Sequence, residues 1–230
     1  FIDASDPDGF RVYERSLYFI LYKAVKDLYP DQAIVIKHSI SGGKYCEFES
    51  PDFKVTPETA AAIEKRMREI VIADLPFARR EVRTEEAIQL FEKEGLFSKR
   101  DLVRNRRQLY ASVYYLGDCI NYFYGFLAPS TRYINVFGLK TYENGLLLIT
   151  PSNAHPDRLS KSEHAPKLFA IFNEFKTWNK VLGISYLSDI NQMIAEEKGT
   201  ELLLVSEALQ EKKVVQVADH IAEKGDVKIV

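Results

Sequence analysis

The fold is decided by residues 52–95, which read DFKVTPETAAAIEKRMREIVIADLPFARREVRTEEAIQLFEKEG. Thr56 followed by Pro57 predicts a helix start, because a threonine hydroxyl caps the first turn and proline lacks an N–H that this turn leaves unpaired. Apolar residues then recur at i, i+4, i+7 and i+8, which is the spacing of one buried helix face. They are Ile63, Met67, Ile70 and Val71.

The same stretch predicts a second helix after a short extended link. Pro76 is expected to end the first helix, because a proline disfavours the α conformation in the residue before it. Thr84 is expected to cap the second helix, and Gly95 suits a left-handed C-terminal cap. The predicted buried face of this second helix consists of Ala87, Ile88, Leu90 and Phe91.

The flanking sequence predicts an α+β fold. Residues 10–29 keep helical spacing of apolar side chains up to Pro30. Residues 33–49 alternate around a glycine-containing turn, which predicts a β-hairpin, and residues 132–150 predict a second hairpin around Asn144-Gly145. We expect the first helix to pack against one sheet that contains both hairpins.

The C-terminal third predicts helices only, at residues 167–182, from Ser188 onward, and at residues 201–224. We therefore expect three parts. An α+β domain spans residues 1–155, a helical connector spans residues 156–225, and the opening of a further strand lies at residues 226–230.

Composition excludes several classes of protein. The 230 residues carry a net charge of −2, which exerts no global attraction toward nucleic acid or anionic lipid. Two cysteines do not make a disulfide framework, so we expect a reducing cytoplasmic location. No apolar run approaches the roughly 18 residues of a membrane-spanning helix, so we expect no membrane partner.

A basic run follows the second helix at residues 99–107, with a single acid, Asp101. Such a run can hold phosphate groups through charge and bidentate hydrogen bonds, so it is a candidate anion-binding site. The alternative is a solvated helix face that binds nothing, and the near-neutral net charge favours it. The candidate residues are Lys99, Arg100, Arg104, Arg106 and Arg107.

Two segments of the decisive stretch, IEKRMREIVIADLPFARREV and EEAIQLFEKEG, closely resemble the second additional, editing-type domain of threonyl-tRNA synthetases. The resemblance extends upstream to ERSLYFILYKAVKDLYP and KHSISGGKYCEFES. It extends downstream, more weakly, to YFYGFLAPSTRYINVFGLK, and it covers about two-thirds of the chain. It implies that family's fold, with a cleft between the first helix and the loop at residues 122–131.

The resemblance also implies a hydrolytic site, in which two histidines four residues apart on the first helix meet a cysteine and a histidine from the later loop. The matching helix positions are Arg15 and Phe19, which neither bind a metal nor transfer a proton in that role. We therefore expect a degenerate pocket with no metal and no catalytic residue. Its candidate residues are Arg15, Ser16, Phe19, Asp118, Cys119, Tyr122 and Tyr124.

The sequence leaves two alternatives for what the pocket contains. The Arg15 guanidinium fits a carboxylate or a phosphate, so a small anionic ligand is one candidate occupant. The alternative is that Arg15 only pairs with a nearby acid such as Asp118. The four histidines show no ligand spacing, and neither a phosphate-binding-loop motif nor a nucleophile-elbow motif occurs.

A second resemblance concerns a longer parent protein. YFYGFLAPST, PSNAHPDRLSKSEHAPKLFAIFNEF and LLLVSEALQEKKVVQVADHIAEKG are similar to the front part of bacterial uridine kinases. The chain does not begin with Met, and its last residues, VKIV, would lead into a phosphate-binding loop in that family. This resemblance implies a fragment whose partner is a following nucleoside kinase (phosphotransferase) domain, with ATP and Mg²⁺ expected only there.

Our leading hypothesis from sequence is therefore the non-catalytic N-terminal region of a uridine-kinase-like protein, with a role in ligand recognition, regulation or assembly. One alternative is an editing-type hydrolase that uses Cys119 without the histidine pair. Another is a tRNA-binding module that uses residues 99–107. The net charge disfavours nucleic acid as a partner. The sequence does not decide whether the chain forms an oligomer.

Overall fold

The computed structural model describes residues 3–106 and 108–225. Arg107 of the basic run and the predicted strand opening at residues 226–230 lie outside these residues. Within them, no helix has the combination of length and hydropathy that crossing a membrane requires. The elements are α1 (Pro7–Leu28), β1 (Ile34–Ile40), β2 (Gly43–Phe48), α2 (Pro57–Ile72), β3 (Ala78–Arg83), α3 (Thr84–Lys93), α4 (Phe97–Asn105), β4 (Tyr110–Leu116), β5 (Cys119–Asn121), β6 (Gly138–Tyr142), β7 (Gly145–Ile149), α5 (Pro166–Val181), α6 (Leu187–Ala195) and α7 (Gly199–Lys224).

The fold is α+β, as the sequence predicts, and it contains two antiparallel sheets. The larger sheet has the order β1-β2-β7-β6, so both predicted hairpins lie side by side in it. Cys46 of β2 pairs with Leu146 of β7, and this register joins the two hairpins. The smaller sheet has the order β3-β4-β5, and its strand β3 is the extended link predicted between the two helices.

The main core joins α1 and α2 to the larger sheet and to one end of the smaller one. Leu17 of α1, Ile63 of α2 and Leu146 of β7 are fully buried in it, together with Leu116 of β4. A second core lies between α3, α4 and the smaller sheet, and Phe91 is its fully buried centre. The loop that follows β5 contacts both cores, since Tyr122 belongs to the second core and Ala128 to the main one.

The predicted start of α2 is confirmed. The Thr56 hydroxyl accepts a hydrogen bond from the backbone N–H of Thr59 at 3.2 Å, as an N-terminal cap does. Ile63, Met67 and Ile70 are all buried, so the apolar stripe is confirmed, although Val71 is only partly buried.

Two predicted helix boundaries are wrong. Helix α2 ends at Ile72, because the chain turns at Asp74 with φ +49°, before Pro76 is reached. Thr84 does not cap α3. It is the first residue of the helix, and its hydroxyl donates to the carbonyl oxygen of Gln108. A local sequence pattern cannot reveal this partner 24 residues away. Gly95 follows α3 with φ +70°, which confirms the predicted C-terminal cap.

The C-terminal helices are attached to the α+β part by specific contacts. Phe169 of α5 is buried against Tyr45 and Tyr142 on the outer face of the larger sheet. Lys176 of α5 forms an ion pair with Glu47 of β2 at 2.6 Å. Helix α6 packs against α4, and α7, which lies wholly within the described residues, has no buried residue. The domain limits predicted from sequence stay predictions.

Replacing Ile63 or Phe91 by alanine is expected to lower the free energy of unfolding by about 2–5 kcal/mol, because each deletes buried apolar atoms and leaves a cavity. Ile72→Ala is the control, since Ile72 lies on the same helix as Ile63 but is 83% exposed. It should change stability by less than about 0.5 kcal/mol. Urea unfolding of the three variants measures this, and equal losses for Ile63→Ala and Ile72→Ala would contradict the assigned core.

Candidate functional site

The candidate site is the cleft between α1 and the loop at residues 122–131. Arg15 reaches across it, and its Nε donates to the carbonyl oxygen of Phe126 at 3.1 Å while Nη1 donates to that of Tyr124 at 3.2 Å. The Ser16 hydroxyl accepts a hydrogen bond from the N–H of Ala128 at 2.8 Å. Helix α1 and the loop therefore face each other through direct contacts.

Side chains of the chain itself fill this cleft. Phe19 is fully buried and packs against Phe77 and Phe123, with ring centroids 6.0 and 5.2 Å apart. Gly125 has φ +110°, and a Cβ added to it would lie 2.9 Å from Nη1 of Arg15. The guanidinium therefore lies directly against the loop backbone. The room that a ligand would need is taken by Arg15 and Phe19.

Arg15 keeps its positive charge uncompensated. The two carbonyl oxygens accept its N–H groups but carry no net charge, and within residues 3–106 and 108–225 no carboxylate forms an ion pair with it. The alternative pairing with Asp118 is not what the structure contains. Asp118 instead accepts a hydrogen bond from Nζ of Lys23 at 2.7 Å, and this contact lowers the pKa of the Asp118 carboxyl.

The remaining candidates for the pocket lie in different surroundings. Cys119 is buried in the main core, and this burial raises the pKa of its thiol to about 11. Tyr122 is buried in the second core, where its ring packs edge-on against Phe91. Tyr124 is 79% exposed. The structure thus brings Arg15, Ser16 and Phe19 together with the Tyr124 backbone, whereas Asp118, Cys119 and the Tyr122 ring contact other groups.

The basic run divides into two parts. Arg100 pairs with Asp101 at 2.8 Å and with Glu92 at 3.2 Å, and Arg104 pairs with Asp101 at 3.3 Å. Burial lowers the pKa of the Lys99 ammonium. Arg100 and Arg104 thus have carboxylate partners and Lys99 is partly buried, which reduces the positive charge that α4 presents to an anion.

Arg106 behaves differently, because it follows the end of α4 and turns toward the loop. It donates to the hydroxyl of Tyr122 and lies over the rings of Tyr122 and Tyr124, at 5.9 and 5.6 Å from their centroids. No carboxylate of the described residues pairs with it. Arg106 therefore belongs to the surroundings of the cleft rather than to α4.

Sequence reasoning missed the arginines of β3. Arg79 lies over the ring of Phe126 at 5.2 Å and donates to the Ser112 hydroxyl at 2.7 Å. Arg80 lies over the ring of Tyr115 at 4.8 Å. Arg83 is exposed on the same edge strand. Their signal was present in the segment ARREVR, where three arginines fall within six residues of a predicted extended link.

We use the name arginine surface for the side chains that surround this loop without a carboxylate partner in the part of the chain that the structure describes. Glu81 lies two residues from Arg79 on the same face of β3 but forms no ion pair with it. The arginine surface comprises Arg15, Arg79 and Arg106.

The chain is similar to threonine–tRNA ligases. It is 32% identical over 182 residues to the enzyme named threonine–tRNA ligase of Syntrophotalea carbinolica, an alignment that covers 72% of this chain and 28% of that protein. It is 33% identical over 138 residues to the threonine–tRNA ligase of Geobacter sp. strain M21, and this alignment covers 60% of this chain and 22% of that protein. It is 37% identical over 134 residues to the threonine–tRNA ligase of Acidithiobacillus ferrooxidans, and this alignment covers 58% of this chain and 21% of that protein. No family model matches the chain.

These similarities support a threonyl-tRNA-synthetase-like domain over about 58–72% of the chain, and the alignments span only 21–28% of the relatives' own length. The prediction that the chain is the front part of a uridine-kinase-like protein is wrong, because the relatives found are threonine–tRNA ligases. The expected kinase-domain partner is unsupported for the same reason. The expectation that nucleic acid is disfavoured as a partner is also contradicted, because these relatives are named as ligases that act on tRNA.

The described residues contain no group of three or more His, Cys, Asp or Glu side chains that could hold a metal ion. Arg15 and Phe19 occupy the positions at which the resemblance places imidazoles, and neither supplies a metal ligand or a general base at neutral pH. The absence of zinc and of hydrolysis stays a prediction. Stoichiometric zinc in purified protein, or seryl-tRNA hydrolysis abolished by Cys119→Ala, would contradict it.

Cys119 is expected to react slowly with iodoacetamide in the folded protein at pH 7.5. Its thiol pKa of about 11 leaves little thiolate, and the surrounding core blocks the reagent. The raised pKa also makes stability depend on pH. Below about pH 9 the thiol is protonated in both the folded and the unfolded state. As pH rises from about 9 toward 11 the unfolded state ionises first, so the stability that the buried thiol contributes is lost. Alkylation of a Cys46→Ala variant, with and without urea, reports on Cys119 alone. A folded rate equal to the rate in urea would contradict the burial.

Gly125→Ala is expected to destabilise the protein partly through Arg15, since the added Cβ displaces the guanidinium from its two carbonyl partners. The loss in free energy of unfolding that acts through Arg15 should be about 1 kcal/mol, and it should vanish in an Arg15→Met background. The loss that remains there comes from placing an alanine at a positive φ. Gly95→Ala is the control, because its φ is +70° but no heavy atom lies within 4 Å of its Cβ. Its cost should be the same in both backgrounds. Urea unfolding of the double-mutant cycle measures the coupling, and a coupling of zero would contradict the direct packing of Arg15 on Gly125.

Proposed function

We propose that this chain is a tRNA-binding module that holds RNA through the arginine surface and does not hydrolyse it. The observation that carries the proposal is that Arg15, Arg79 and Arg106 converge on one loop with no carboxylate partner among the described residues. Each contributes a full positive charge to the same small region of the surface. Such a region is the electrostatic footprint of a nucleic-acid contact.

The side chains have the chemistry that phosphate groups require. A guanidinium presents several N–H donors in a fixed plane and binds phosphate oxygens in a bidentate manner. Arg83 lies on the same face of β3 as Arg79, four residues further along the exposed edge strand, whereas Arg80 projects from the opposite face. A phosphate backbone lying along this edge would release counterions wherever an arginine neutralises a phosphate, and this release drives such binding at moderate salt.

The overall net charge of −2 does not oppose this proposal. Surface charges are screened beyond about 8 Å at physiological ionic strength, so only the local arrangement matters to a bound phosphate. Many of the acids are paired with other cations, such as Asp101 with Arg100 and Glu47 with Lys176. Arg15, Arg79 and Arg106, by contrast, have no carboxylate partner among the described residues.

The similarity to threonine–tRNA ligases supports tRNA as the nucleic acid. The name of these proteins states that they act on tRNA, and the alignment to one of them covers 72% of this chain. The alignments reach only 21–28% of those proteins, so their ligase activity is not assigned to this chain. Binding without chemistry fits the site, because the Arg15 and Phe19 side chains fill the cleft and Cys119 lies in the core.

Replacing Arg79 and Arg106 together by glutamine is expected to weaken tRNA binding several-fold. It should also reduce the slope of log K against log salt by about one for each phosphate that is no longer neutralised. The matched control is Arg100→Gln with Arg104→Gln, which removes the same charge from cations that already pair with Asp101. The control should change affinity by less than twofold.

Filter binding or fluorescence anisotropy of a labelled tRNA, at several salt concentrations, measures both quantities. Circular dichroism and a urea midpoint establish that each variant is folded. Equal losses of affinity in the two double variants would show nonspecific attraction and would contradict the proposed surface. Absence of salt-sensitive binding by the unmodified chain would contradict tRNA binding itself.

A further inference from the structure

We infer that the arginine surface takes unpaired nucleotides, whose bases stack on the rings of Tyr124 and Phe126. This inference rests on the proposed RNA binding and names the form of RNA that the surface recognises. It is carried by three observations on the loop at residues 124–126: the exposure of its rings, the guanidinium groups stacked on them, and the hydrogen bonds that hold its backbone.

The first observation is that two large rings lie outside both cores. Tyr124 is 79% exposed and Phe126 is 67% exposed, and only Gly125 separates them. A phenylalanine ring left in water forgoes about 1.5–3 kcal/mol that burial would provide. A single exposed ring is common on protein surfaces, but here two lie on the same short loop.

The second observation is that each ring already carries a guanidinium on one face. The Arg106 Cζ lies 5.6 Å from the centroid of Tyr124, and the Arg79 Cζ lies 5.2 Å from that of Phe126. The exposure of both rings leaves further area open to solvent. A base placed there would complete a stack of base, ring and guanidinium, and proteins that bind single strands use such aromatic and arginine stacking.

The third observation is that the loop backbone is held in place at every residue. Arg15 donates to the carbonyl oxygens of Tyr124 and Phe126, and the Tyr114 hydroxyl donates to that of Gly125 at 2.6 Å. The donors come from α1 and β4, which are both anchored in the main core. A fixed backbone reduces the entropy that the rings lose on stacking, so a base would bind to a preorganised site.

These features favour unpaired nucleotides over a duplex. In an A-form duplex the faces of the bases are already stacked on one another, so an aromatic side chain reaches only a helix end. Arginines contact the phosphates of either form. The rings should therefore add affinity for single strands alone, whereas Arg79 and Arg106 should add affinity for both.

The test compares a single-stranded RNA octamer of mixed sequence with a blunt 12-base-pair RNA duplex, each labelled for fluorescence anisotropy at fixed salt. Tyr124→Leu and Phe126→Leu keep an apolar side chain but remove the ring. Each should weaken octamer binding about 5- to 150-fold and change duplex binding less than twofold. The matched control is Tyr133→Leu, since Tyr133 is 49% exposed and has Arg132 at 5.0 Å from its centroid, but Arg132 pairs with Asp74.

The outcomes separate this inference from the proposed function. If the ring variants bind the octamer as well as the unmodified chain does, or lose octamer and duplex binding equally, stacking is overturned. The proposed function then stands provided that Arg79→Gln with Arg106→Gln still weakens tRNA binding. If neither RNA nor tRNA binds the unmodified chain, both proposals fail. A loss in Tyr133→Leu equal to that in Tyr124→Leu would also overturn the assignment to this loop.

Discussion

The contact on which the site depends is the one between the Arg15 guanidinium and the carbonyl oxygens of the loop at residues 124–126. It fills the cleft between α1 and the loop, so a pocket of the kind that the resemblance implies has no room for a substrate. It also fixes the loop from which Tyr124 and Phe126 project into solvent. Arg15 and Phe19, at the two positions where the resemblance implies histidines, together fill the pocket, and Arg15 also holds the loop beside it.

Charge compensation separates two kinds of arginine in this chain. Arg100 and Arg104 lie on α4 beside Asp101, so their charges are balanced locally. Arg15 and Arg106 donate to neutral oxygens, and Arg79 donates to the Ser112 hydroxyl, so each has hydrogen-bond partners, but none of these partners carries a negative charge. A negatively charged partner would therefore gain more binding energy from Arg15, Arg79 and Arg106 than from Arg100 and Arg104, whose charges are already paired.

The sequence predicts the parts of the fold that follow from local periodicity. The stripe of Ile63, Met67 and Ile70 and the glycine cap at Gly95 are examples, because each depends on residues within one or two turns. Thr84 illustrates the limit, since its hydroxyl bonds to Gln108 across a tertiary contact. For the site, helical spacing and resemblance located Arg15, Ser16 and Phe19. Arg79 and Phe126 were missed because their association crosses from a strand to a distant loop.

The central claim is that tRNA contacts the loop at residues 124–126 and its arginines rather than the basic helix α4. Ultraviolet crosslinking of the chain to tRNA, followed by mass spectrometry of the linked peptides, tests this most directly, because stacked aromatic side chains are close enough to a base to form covalent links. We expect nucleotides attached at Tyr124 or Phe126 or at the neighbouring residues of this loop. Crosslinks confined to α4 or to the C-terminal helices α5–α7 would contradict the claim.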